Sequence, residues 1–215
     1  MSTKDSMSKL PERSRESGGF DFDDYPERDE KTWNDPLADE FIRQQSPSDT
    51  NLLKEWAGSS FQFNEPARAG KTTTKIEQLV KIIDSFEVPD NVRMFRAESS
   101  EMLRKVAKKG IFFKEGDIVK LEGFTSASAT KKAVNETRDF FEKRSGKKMN
   151  VEIELFVPKG AKAIPLSKAS KPLPDGTLKH EYQKEWLFQK DTVIQVLENY
   201  VQNGRVYLKL LVFNR

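Results

Sequence analysis

Three short stretches of this chain carry polar chemistry in settings otherwise built of core-type residues. Arg96 sits in Met94-Phe95-Arg96-Ala97, a guanidinium within an apolar, strand-like segment. Gly123-Phe124-Thr125-Ser126-Ala127-Ser128 is a strand-like run that ends in hydroxyls. Gln183-Lys184-Glu185-Trp186-Leu187-Phe188 sets an amide and a carboxylate two residues apart, which on a strand puts both on one face. A fixed guanidinium can grip phosphate oxygens with a planar fork. A carboxylate held beside a reacting centre stabilises positive charge developing there. Taken singly, each stretch has a plain structural account: an edge or ion-paired arginine, a turn, a solvated strand face. Their order, and the strand-like setting all three share, set them apart.

Other chemistries find no support. With no cysteine there is no disulfide framework, zinc-thiolate site or thiol nucleophile. His180 is the one histidine, and beside Glu181 in a loop it makes neither a metal site nor the base of a serine hydrolase, for which the G-x-S-x-G elbow is also missing. No metal is expected. Ala69-Gly70-Lys71-Thr72-Thr73 imitates the end of a phosphate-binding loop, but the position that needs the first glycine is Glu65 and no apolar strand leads in. The balance of 37 basic and 34 acidic residues argues against a chain whose main task is coating nucleic acid. The basic runs Lys105, Lys108, Lys109 and Lys143, Arg144, Lys147, Lys148 read as solvated faces, although beside an active site they would favour an acidic or nucleic-acid acceptor. No apolar run reaches membrane-spanning length, and Met1 to Gly19 lack the apolar middle of a signal peptide. A cytosolic monomer with no membrane partner is the expectation.

Apolar residues make up only 36% of the chain against 33% charged, and the deficit is concentrated at the start. Residues 1–49 are expected to form a disordered or partner-docking tail, with Phe20, Phe22, Tyr25 and Trp33 scattered among acids. Residues 50–215 are expected to form the folded domain. Leu52, Leu53 and Trp56 suit a short amphipathic turn or helix, and Ile76, Leu79, Val80, Ile83 and Phe86 give helical spacing over 72–86 behind the capping hydroxyls of Thr72 to Thr74. Strands are expected at 92–97, 117–124, 149–157, 185–188, 192–200 and 205–213. Helices are expected at 101–109 and 131–143, and a Pro- and Lys-rich loop over 158–179. Asn203-Gly204 signals a hairpin. Many strands, few helices and no alternating repeat indicate an α+β domain.

The ordered trio resembles the Arg-Ser-Glu class of mono-ADP-ribosyltransferases, which includes Rho-modifying clostridial exoenzymes, cholera-like arginine-modifying toxins and several phage enzymes. The aromatic-Arg pair is Phe95-Arg96. The aromatic-x-Ser-Thr-Ser strand is matched by Phe124 to Ser128, with Ala127 in place of threonine. The Gln/Glu-x-Glu motif is matched by Gln183 to Glu185. The likeness spans about residues 72–213. It implies a split β-sandwich of two small antiparallel-rich sheets with flanking helices, and NAD⁺ as co-substrate. Arg96 would hold phosphate or ribose oxygens, with Thr125, Ser126 and Ser128 lining the dinucleotide site. Ser126 would tether the ribose and orient Glu185, and Glu185 would stabilise the oxocarbenium character that develops when the nicotinamide bond breaks. Gln183 leans against arginine as acceptor, since an amide cannot take a proton from a guanidinium. A protein acceptor is expected ahead of RNA or DNA. The diphtheria-like class, which begins with histidine where Arg96 stands, is excluded because His180 follows the serine element. The alternatives are an inactive structural or binding module of the same fold, such as a phage-particle component, and an unrelated nucleic-acid-binding domain.

Overall fold

The computed structural model of the chain describes residues 20–107, 113–169 and 183–213. Four helices precede the sheet: α1 (Asp35–Gln44), α2 (Pro47–Gly58), α3 (Phe61–Arg68) and α4 (Thr74–Asp84). Then come β1 (Val92–Glu98), α5 (Ser100–Ala107), β2 (Ile118–Lys120), β3 (Thr125–Ser128), α6 (Lys131–Ser145), β4 (Val151–Val157), β5 (Ala163–Pro165), β6 (Glu185–Phe188), β7 (Val193–Gln202) and β8 (Arg205–Val212). The strands hydrogen-bond in the order β2-β7-β8-β4-β1-β3-β6-β5, antiparallel throughout except for β4 beside β8.

The expected α+β sandwich takes a specific form. The five strands from β2 to β1 and the three from β3 to β5 are joined through one register pair, Phe95 with Ser128. Residues of both halves share one core, with Met94, Ile153, Leu155 and Leu208 from the larger half packed with Ala127, Trp186 and Phe188 from the smaller. The outer face of the smaller half, through Phe124, Ile164 and Leu187, packs on Leu53, Trp56, Phe63, Leu79 and Ile83 of the helices. Alternation along each strand is what feeds two cores from one short sheet.

Local chemistry sets the ends of these elements. The Thr73 hydroxyl accepts from the Ile76 amide at 3.2 Å and starts α4. Thr130 does the same for α6 through Ala133 at 3.2 Å, and Gly146 closes that helix with φ 65°. Asn203 and Gly204 both take positive φ, 51° and 73°, as a two-residue hairpin of the primed type requires. Of the strand expected over 117–124 only residues 118–120 form one, β2, and β3 begins beyond it at Thr125. Gly123 turns the chain with φ 73°, and a β-carbon there would lie 2.7 Å from the Asn64 amide oxygen, which itself accepts from the Phe124 amide at 2.8 Å. The loop expected over 158–179 contains β5, and residues 170–182, among them His180 and Glu181, lie outside the described residues, as do Lys108 and Lys109.

The largest departure from expectation concerns residues 20–49, which pack onto the domain. Phe20, Phe22 and Tyr25 surround Phe156 with ring centroids 5.3, 5.0 and 5.8 Å away, covering the far face of β4. Arg93 donates to the carbonyls of Tyr25 and Phe22 at 3.2 and 3.1 Å. Trp33 stacks on Trp186 at 5.2 Å, and Phe41 on α1 is 1% exposed. These aromatics follow no period because they meet the domain one by one as the chain crosses it. Residues 1–19 lie outside the described residues.

Candidate functional site

β1, β3 and β6 lie side by side, so Arg96, Ser126 and Glu185, separated by up to 89 positions, reach one cleft of about 840 Å³. That volume suits a ligand of cofactor size. Ser128 and Gln183 also line it. Thr125 does not. It is 6% exposed and lies opposite Phe188 in the register, on the strand face turned away from Ser126.

The Arg96 guanidinium is held on two sides. Nη1 donates to the Ser126 carbonyl at 2.5 Å and lies 3.5 Å from the Ser126 hydroxyl. Nη2 pairs with Glu98 at 2.5 Å, and the second Glu98 oxygen accepts from the Ser99 amide at 3.0 Å. Glu98, 8% exposed, is therefore a fixed counter-charge inside the cleft.

Glu185 opens β6 with its side chain at the cleft and its carbonyl accepting from the Leu166 amide at 2.7 Å. Burial pushes its carboxyl above the ordinary glutamate range. Hydrogen bonding to Ser126, the Arg96 charge and hydrogen bonding to Trp56 pull the other way. The carboxylate thus sits among donors and a cation and is yet costly to ionise.

Three contributors had no signal in their own sequence surroundings. Trp56, read as a core residue of a helix, also supports the carboxylate. Arg68, at the end of α3, lines the cleft and donates from Nε to the Glu122 carbonyl at 3.4 Å. Burial and then the charge of Arg96 push its guanidinium below the ordinary arginine value, with Glu98 and Glu122 opposing. Two guanidiniums thus disfavour one another across the cleft. Asn64, buried on α3, ties that helix to the start of β3. Among the described residues no cluster of carboxylates or imidazoles is arranged to hold a metal ion.

A two-halved α+β sandwich thus brings an arginine, a serine strand and a glutamate to one cleft. The sequence pattern of the ADP-ribosyltransferase exoenzyme family matches residues 30–212, and the chain belongs to that family. Similar solved structures include the C3 exoenzyme of Clostridium limosum, at 17% identity and TM-score 0.64 over 84% of this chain and 93% of that one. Plx2a, an ADP-ribosyltransferase toxin from Paenibacillus larvae, aligns at 17% identity and TM-score 0.62 over 86% of this chain and 94% of its own. C3stau2 from S. aureus, solved with NAD, aligns at 17% identity and TM-score 0.62 over 85% and 95% of the two chains. No curated protein matches at the sequence level. The family match begins at Glu30, within the stretch expected to be a tail. No helix among the described residues is long and apolar enough to cross a membrane.

Proposed function

We propose that the protein is a mono-ADP-ribosyltransferase that cleaves the nicotinamide–ribose bond of NAD⁺ and transfers ADP-ribose to a macromolecular acceptor, a protein side chain. The observation that carries this is the common attachment of Arg96 and Glu185 to Ser126 on one cleft, with a second guanidinium, Arg68, beside them. The two guanidiniums would take the pyrophosphate, exchanging their mutual repulsion for charge-assisted hydrogen bonds. Glu185 would accept from the ribose 2′-hydroxyl and stabilise the oxocarbenium character at C1′ more than it stabilises ground-state NAD⁺. The C1′–N bond breaks with its electron pair going to the ring nitrogen, so nicotinamide leaves neutral and needs no general acid. The acceptor nucleophile then bonds to C1′ and its proton passes to solvent. Gln183, two residues from Glu185 on the same cleft, would hydrogen-bond the incoming acceptor without deprotonating it.

Incubation with labelled NAD⁺ and a cell lysate tests the reading. Label transfer with nicotinamide release is the expected result, and absence of both overturns it. Gln183→Glu is expected to change which residues are modified, read by mass-spectrometric site mapping. An unchanged map would remove Gln183 as the selector. One feature favours a nucleic-acid acceptor as the second reading: Lys143, Arg144, Lys147 and Lys148 are all exposed at the end of α6, and Arg144 and Lys147 line the cleft. Label recovered in a nuclease-sensitive fraction, with steep salt dependence, would favour that reading.

A further inference from the structure

Between Gln183 and Glu185 stands a lysine that does not line the cleft. Lys184 is 5% exposed, a level that lysines reach only when their charge is met. Its backbone takes φ 44°, in the left-handed region that side-chain-bearing residues seldom occupy. That turn directs the amine away from its neighbours and into the N-terminal segment. Nζ there lies 2.9 Å from Asp35 and 3.2 Å from Glu30, at the two ends of the short π-helical turn that leads into α1. Burial works against the charge, but hydrogen bonds and attraction from Asp35 and Glu30 outweigh it, and the amine titrates above the ordinary lysine value.

Contacts on either side join the same two stretches of chain. The Lys184 carbonyl accepts from the Ala129 amide at 2.9 Å, just beyond the serine strand. Trp186 donates its indole N–H to the Asn34 side chain at 2.8 Å, and Asn34 is fully buried. Trp33 stacks on the Trp186 ring at 5.2 Å with an interplanar angle of 20°. Successive residues 184 and 186 are thus gripped by residues 30–35, while 183 and 185 face the cleft.

We propose that Lys184 is a positioning residue, and that residues 30–35 clamp it and Trp186 to hold Gln183 and Glu185 in their working orientation. The left-handed turn is what allows this. The β6 ladder starts only at Glu185 and runs for four residues, so the contacts of Lys184 secure its entry. The lysine touches neither the cleft nor anything bound there, so it acts through its neighbours. A carboxylate misplaced by about an ångström can lower a rate a hundredfold, which makes such an anchor worth a buried charge.

The proposal rests on the transferase reading for its kinetic consequence, and the test separates the two. Lys184→Met removes the amine and leaves Asp35 and Glu30, each with access to solvent, to be hydrated. The expected result is a kcat for NAD⁺ hydrolysis lowered about tenfold or more, with KM for NAD⁺ within about twofold. Hydrogen–deuterium exchange at residues 183–188 should accelerate while that of β4 stays as in the wild type. A folded Lys184→Met with wild-type kcat overturns the proposal. Should Lys184→Met fail to fold, the Glu30→Gln, Asp35→Asn double variant takes its place, keeping the acceptors and removing the opposing charge. If the wild type proves unable to turn over NAD⁺, the transferase reading falls alone. Exchange then decides the clamp, and unchanged protection at 183–188 in the variant overturns it.

Discussion

The two walls of the cleft that present Arg96 and Glu185 are built differently. Arg96 belongs to a seven-residue strand paired along its whole length with β4, itself flanked by β8. Seven consecutive register pairs hold that side to β4. Glu185 belongs to a four-residue strand between β3, also of four residues, and β5, of three. Short ladders fray, so this wall leans on side chains: Trp56 from α2, and Asn34, Asp35 and Glu30 from the N-terminal segment. On the proposed reading, the group that would bind the pyrophosphate stands on the strongly paired part of the sheet, and the group that would meet a transient positive charge stands on a part whose geometry other elements can tune.

The sharpest break in this comparison is at the carboxylate. Glu185→Gln should keep the fold and lower transfer by about 2 to 4 kcal/mol of transition-state stabilisation, on the scale of one preorganised group. Turnover equal to wild type would overturn the role. The same variant has a stability signature. Because burial raises the folded-state pKa of Glu185 above 4.5, this group's contribution is present in acid and lost as pH rises through that raised value. Glu185→Gln does not titrate, so its melting temperature should match wild type in acid and exceed it near neutrality. Wild-type kcat/KM should fall on the acid side with an apparent pKa above the ordinary glutamate value. A limb at or below that value would mean the carboxylate is not the group that must be ionised.

Next in size is the side-chain support of the weaker wall. Asn34→Ala would leave the Trp186 indole N–H buried without its acceptor, at a cost of about 1 to 3 kcal/mol in denaturant unfolding. An unchanged midpoint would show that β6 holds itself. The smallest effect is expected on the stronger wall. Arg96→Lys loses the fork between Ser126 and Glu98, so KM for NAD⁺ should rise about tenfold, or ~1.4 kcal/mol, while β1 keeps its ladder and the melting temperature moves little. A KM unchanged by the substitution would remove Arg96 from the binding site.

What could be seen before the structure follows the same division. The α+β class, the hairpin at Asn203-Gly204, the cap at Thr73 and the strands flanking the site all rest on periods and turn residues within about fifteen positions. The break between β2 and β3 was missed because Gly123 looks like any strand glycine until Asn64, 59 positions earlier, comes to stand against it. The resemblance puts Thr125 with its hydroxyl neighbours in the dinucleotide site, whereas alternation sends it to the other face.

By itself, then, the sequence determined which functional groups were on offer and in what order, because arginine, serine and glutamate each sit in a local strand motif legible from side-chain type and alternation. The tertiary structure alone decided what surrounds them. Asp35 reaches Lys184 across 149 positions, and Asn34 reaches Trp186 across 152. Such contacts leave no period in a chain, since each depends on one side chain arriving where a distant one needs a partner. That is why a stretch whose composition resembles a disordered tail is instead packed against the strand that presents the carboxylate.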